Sequence, residues 1–233
     1  MRKALKWIEP LALLAVPVFL IFCALYGWEN TALTSFVVVL VALLPFFLRF
    51  ELERARPRDI MPIVVLAAIA AVGRVLFAPF PNFKPVSAIV IVGALVFGRQ
   101  SGFLIGALAA LASNMFFGQG AWTPWQMYCW GMVGYWAGAL NQTGLFRKPL
   151  LVYAYGFLSA WFFGAVMDTW YLIAFMQPIT WASAIATYGA GIPFTVSHAV
   201  STVFFLLLTY GPWYKKLERV KRKFGMLERE RIE

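Results

Sequence analysis

The chain has 233 residues, of which 62% are apolar and 13% are charged, against about half apolar and about a quarter charged in an ordinary soluble domain. One soluble core cannot hide that excess, so a soluble globular fold is excluded. A net charge of +10 would suit nucleic acid only if the basic residues formed a surface patch, and they are gathered instead between apolar blocks.

In chain order, those blocks predict membrane spans near 9–26, 31–48, 60–78, 86–98, 102–117, 125–140, 150–172 and 190–210. About 20 helical residues at 1.5 Å each cross roughly 30 Å of hydrocarbon. Strands in lipid would need alternating polarity and a closed barrel, so the expected class is an all-α integral membrane protein of about eight transmembrane helices. With the amino terminus inside, all of the 20 basic residues except Arg74 and Lys84 fall in inner segments. That bias predicts both termini in the cytoplasm and makes anionic lipid the expected partner of the charge.

Arg2 and Lys3 precede the first block, but no small-x-small cleavage site follows Tyr26, so it reads as a span rather than a signal peptide. The two cysteines, Cys23 and Cys129, read as buried small hydrophobes rather than a disulfide. The charged segment from Arg49 to Asp59, with Pro57 inside it, is a joint. It divides two added spans at 1–57 from a six-helix unit at 58–212, which a basic tail at 213–233 follows. Gly98 to Ser101 form the only break between the fourth and fifth spans, so a tight turn between antiparallel neighbours is expected there.

Within the six-helix unit, Gly102, Gly106 and Ala110 recur every four residues and lead to Asn114. Gly156, Ala160 and Gly164 lead in the same way to Asp168. Stripes of small residues let helix backbones approach closely in lipid, so both stripes face into the bundle and set Asn114 and Asp168 near its outer mouth. In the tail, Leu217, Val220, Phe224 and Leu227 at helical spacing predict an amphipathic helix on the inner membrane surface.

Signatures of an enzyme are missing from the sequence. There is one histidine, no cysteine pair at zinc spacing and no glycine-rich phosphate loop, so no catalytic residues, metal site or cofactor are assigned. His198 lies in a polar stripe with Thr195, Ser201 and Thr202, where it is either a hydrogen-bonded packing residue or a ligand contact. Arg74, about one turn from the outer end of its span, is explained by snorkelling to the interface, with a ligand role as the alternative. The outer segments carry Trp122, Trp125, Tyr128 and Trp170 together with Asn114, Gln126 and Asp168. An aromatic belt accounts for the rings alone; a pocket for an organic solute, apolar-walled with a few polar anchors, accounts for rings and amides together.

The run from Ser113 to Met127, SNMFFGQGAWTPWQM, together with Pro81-Asn82-Phe83-Lys84-Pro85, resembles the substrate-capture subunits of energy-coupling factor vitamin transporters, most of all the cobalamin-type members. The resemblance covers roughly 58–212 and implies a six-helix protein of a prokaryotic cell membrane. It would bind a vitamin from outside and dock with a transmembrane coupling subunit and two cytoplasmic ATPase subunits, which hydrolyse the ATP. It implies substrate contacts at Asn82, Phe83, Lys84 and His198 besides Asn114, Trp122, Trp125, Gln126, Tyr128, Asp168 and Trp170. Ala67 and Ala71 match an Ala-x-x-x-Ala docking motif on the first helix of that family. The cargo expected is cobalamin or a related corrinoid, with another micronutrient as the alternative; a structural or regulatory subunit without a ligand is the alternative of a different class. The two added spans depart from the family plan.

Overall fold

A computed structural model describes residues 56–226 apart from Gln177, together with isolated helical residues between 15 and 45. Six α-helices follow one another: α1 (Pro57–Leu76), α2 (Val86–Phe97), α3 (Arg99–Phe117), α4 (Thr123–Gln142), α5 (Pro149–Phe175) and α6 (Trp181–Lys223). A 3-10 turn, Leu145–Arg147, joins α4 to α5. The predicted spans at 9–26 and 31–48 lie almost wholly outside the described residues. Of the isolated ones, Val39 and Leu43 are buried in the same core cluster as Ile63, Leu66 and Ala70 of α1.

Four helices, α1, α3, α5 and α6, are long and apolar enough to cross a membrane. The chain is therefore a multi-pass helical membrane protein. The other two are central. All twelve residues of α2 are buried, and α2 touches each of the other five helices. At about 18 Å it is shorter than the hydrocarbon layer, and protein rather than lipid surrounds it. Helix α4 mixes Thr, Gln, Tyr and Asn with its tryptophans and is largely buried, so its polar groups find partners inside the bundle. Helix α5 is at the opposite extreme, with 22% of its apolar window buried against 61% for α3, and presents most of its surface outward.

Between α2 and α3 only Gly98 breaks the helix, at φ +87°, a conformation that needs no Cβ. Arg99 to Ser101 already belong to the first turn of α3. The expected tight turn is thus one residue long.

The small-residue stripes are where helices meet. A Cβ on Gly102 or Gly106 would overlap the backbone carbonyls of Gly134 or Trp130, and one on Gly138 would overlap Arg99. Helices α3 and α4 are therefore packed backbone to backbone. The second stripe faces α6 in the same way, with Gly156 against Leu206, Gly164 against Thr195 and Asp168 against Gly191.

Helix α6 begins at a reciprocal cap, Ser183 N donating to Thr180 Oγ1 at 3.1 Å and Thr180 N to Ser183 Oγ at 2.9 Å. It then continues for 43 residues, so the tail is a direct extension of it. Trp213, Leu217 and Val220 pack against the core, and Lys221 Nζ donates to the carbonyl of Val96 at the end of α2 at 2.6 Å. Leu217 and Val220 of the predicted apolar face thus pack on the bundle, Phe224 is exposed, and Leu227 lies outside the described residues.

Candidate functional site

The polar residues of the outer segments meet at the end of the bundle where α1, α3 and α5 finish and α2, α4 and α6 begin. At its centre is Arg74. Its Nη1 donates to Ser113 Oγ at 2.7 Å and to Asn114 Oδ1 at 2.6 Å, and its Nη2 reaches Gln126 Oε1 at 3.5 Å. The guanidinium carbon lies 4.7 Å from the ring centre of Phe117 and 5.0 Å from that of Trp130. Asn114, fully buried, donates from Nδ2 to Thr123 Oγ1 at 3.0 Å and to Gln126 Oε1 at 2.9 Å. One cation thus ties α1 to α3 and α4.

An arginine inside an apolar bundle is costly unless its N–H groups find acceptors. Here every acceptor is neutral, and among the described residues no carboxylate forms an ion pair with Arg74. Snorkelling, expected from the position of Arg74 in its span, does not describe it: the side chain turns inward because Ser113, Asn114 and Gln126 wait on the facing helices. Reading α1 alone missed this residue. The available signal was a lone arginine in one span facing unpaired amides in two others.

A second layer lies beneath. Trp130 Nε1 donates to Ser87 Oγ at 3.1 Å, and Ser87 Oγ is 2.8 Å from His198 Nε2. The Phe163 ring stacks at 4.7 Å on Trp130 and meets His198 edge-on at 4.9 Å. His198 is consequently a hydrogen-bonded packing residue one layer below the mouth.

Three indoles form one wall. Trp122 and Trp170 meet edge-on at 6.3 Å, and Trp125, one helical turn after Trp122, is 1% exposed. Tyr128 is buried in the same core cluster. The indole N–H groups of Trp125 and Trp170 are buried and have no hydrogen-bond partner among the described residues, an omission that costs about 1–3 kcal/mol per group. Asp168 does not join them. Two helical residues correspond to about 200° of rotation, so with Trp170 turned toward Trp122, Asp168 faces Gly191 of α6.

The loop between α1 and α2 is buttoned to α6. Ser197 Oγ donates to the carbonyl of Pro81 and Ser201 Oγ to that of Lys84, both at 2.9 Å. Asn82, at φ +52°, donates from Nδ2 to the carbonyl of Phe194 at 3.3 Å. Phe83 packs with Phe204 and Phe205, both at 5.6 Å. Asn82 and Phe83 are thereby drawn toward α6, away from the indole wall. Lys84 alone reaches the Arg74 group: its Nζ donates to the carbonyls of Phe77 and Phe80 at 2.9 and 3.0 Å and lies 5.7 Å from the ring centre of Phe117. Partial burial, and after it the charge of Arg74, holds the Lys84 ammonium below the usual lysine range.

Ala67 and Ala71 are 4% and 5% exposed, on the inward face of α1. The outward face is Val64, Val65, Ala68 and Val72. Cys129 is fully buried; Cys23 lies outside the described residues. At the opposite, basic end an apolar cavity of about 340 Å³ is lined by Val65, Phe97, Trp213 and Leu217. A polar cavity of about 510 Å³ is lined there by Asn141, Arg147, Tyr210 and Tyr214.

Fold and site together define a multi-pass helical-bundle membrane protein with a tryptophan-walled polar cluster at one end. Residues 54–224 match a family of unknown function (DUF6580), and the chain belongs to that family. The match begins and ends with the six helices. No curated protein and no solved structure matches the chain significantly.

Proposed function

We propose that this protein is the solute-capture subunit of an energy-coupling factor type importer, taking a vitamin from outside at the end of the bundle where Arg74, Asn114 and Gln126 meet the indole wall. The observation that carries this reading is the pair of buried indole N–H groups, on Trp125 and Trp170, with no acceptor among the described residues, at the same end of the bundle as a cluster of side-chain amides. If the wall opens on binding, a ligand rim bearing carbonyl groups would satisfy them, and the rings would contact its apolar faces. Cobalamin or a related corrinoid, whose rim amides suit both requirements, is the first cargo to test. Asn114 and Gln126 now hydrogen-bond each other, so binding would exchange those bonds for bonds to the ligand. A coupling subunit and two ATPases would supply the energy. The exposed valine face of α1 is the surface available for docking, because Ala67 and Ala71 are covered.

Calorimetric titration of cobalamin and a panel of other vitamins into the purified full-length protein is the test. Saturable binding of cobalamin is expected; binding of another vitamin keeps the capture role and changes the cargo. Silence across the panel from folded protein would favour a structural subunit. The mutual satisfaction of Arg74, Asn114 and Gln126, which staples three helices, fits that second reading.

A further inference from the structure

Among the described residues, Arg74 and Lys84 are the two lysines or arginines placed at this end of the bundle, and both face one ring, at 4.7 Å and 5.7 Å from the centre of Phe117. Two cations around one ring in a weakly polar setting repel each other unless something negative lies between or beside them. Among the described residues nothing does: the acceptors of Arg74 are Ser113, Asn114 and Gln126, and those of Lys84 are two backbone carbonyls. Donors also remain. The Nε–H of Arg74, one N–H on its Nη2 and one N–H of Lys84 make no bond among the described residues. Nε and Nη of a guanidinium form a planar fork that matches two oxygens of a carboxylate or phosphate.

We infer that the mouth contains an anion-binding site in which Arg74 and Lys84 together hold a carboxylate or phosphate group beside Phe117, and that the captured solute carries that group. The neutral acceptors then serve to orient Arg74 without neutralising it, which leaves its charge for the ligand. The inference rests on the capture reading for the source of the anion; a phospholipid headgroup would present the same chemistry.

The test uses full-length protein in a maltoside detergent, which contains no phosphate, and reads the phosphorus-31 linewidth of added inorganic phosphate at constant ionic strength. Saturable broadening is expected in the natural protein and in Arg147→Gln, a control at the basic end. Arg74→Gln and Lys84→Gln should each weaken it about tenfold, the loss of a charge-assisted hydrogen bond. Lys84 belongs to a loop, so its variant remains informative if Arg74→Gln does not fold. Equal broadening in all four proteins would overturn the site. Phosphatidylglycerol that displaces the phosphate would assign the anion to lipid and overturn the inference about the solute; phosphate binding unaffected by that lipid supports it. A vitamin bound in calorimetry without competition from phosphate would leave capture standing and remove the anion site. Phosphate binding lost in both variants, with no vitamin bound, would do the reverse.

Discussion

Arg74 organises the mouth because a guanidinium cannot stay in an apolar bundle without acceptors, and three neutral side chains supply them. Asn114→Asp would set a carboxylate where the amide oxygen stands 2.6 Å from Nη1. The new carboxylate would neutralise Arg74, so the phosphate response should disappear, while the lost Nδ2 donor to Thr123 and Gln126 offsets the added attraction and leaves the thermal midpoint near that of the natural protein. Asn114→Ala should instead lower stability by about 1–3 kcal/mol, since it strips an acceptor from Arg74 and a donor from Thr123 and Gln126; thermal unfolding in detergent distinguishes the two. Lys84 adds a pH dependence. A bound anion favours the protonated ammonium, so affinity for phosphate should fall as pH rises through the depressed Lys84 value, at lower pH than for an ordinary lysine. A phosphate affinity with the same pH profile in Lys84→Gln would contradict this assignment.

Between elements, the energetics lie in close backbone approach. On α3, Gly106 has no room for a methyl because the Trp130 carbonyl occupies its place, so Gly106→Ala should force α3 from α4 and cost about 1–3 kcal/mol. Gly189 lies within α6 with nothing inside 4 Å of a Cβ, and Gly189→Ala should stabilise by up to about 1 kcal/mol through helix propensity alone. Thermal midpoints of the two variants, moving in opposite directions, check the seam. Both stripes were legible in sequence because spacing of four repeats within one helix. Their partners were not: Gly191 became the seat of Asp168 only once α5 and α6 packed side by side. Asp168 and Trp170 were read together as mouth residues, yet helical rotation sends them to different neighbours.

For the molecule as a whole, charge and polarity divide between two ends. Arg99, Arg147 and Lys221 share the end with the C-terminal part of α6, while Arg74 and Lys84 occupy the other. Cysteines introduced as Lys84→Cys and Arg147→Cys should therefore react with an impermeant maleimide from opposite faces of sealed vesicles; labelling of both from one face would refute a transmembrane placement of the six-helix unit.

The sequence by itself determined helices, a membrane setting, the sidedness of charge and the inward stripes, because each depends on composition or on a period within one segment. Only the tertiary structure decided that α2 is enclosed by protein, that the tail returns to cap it, and that Arg74 turns inward to Asn114 and Gln126. Those are meetings between residues 40 to 125 positions apart, and no local period encodes which helices become neighbours. Packing selects them, by matching small residues to backbone and a buried charge to the acceptors that hold it.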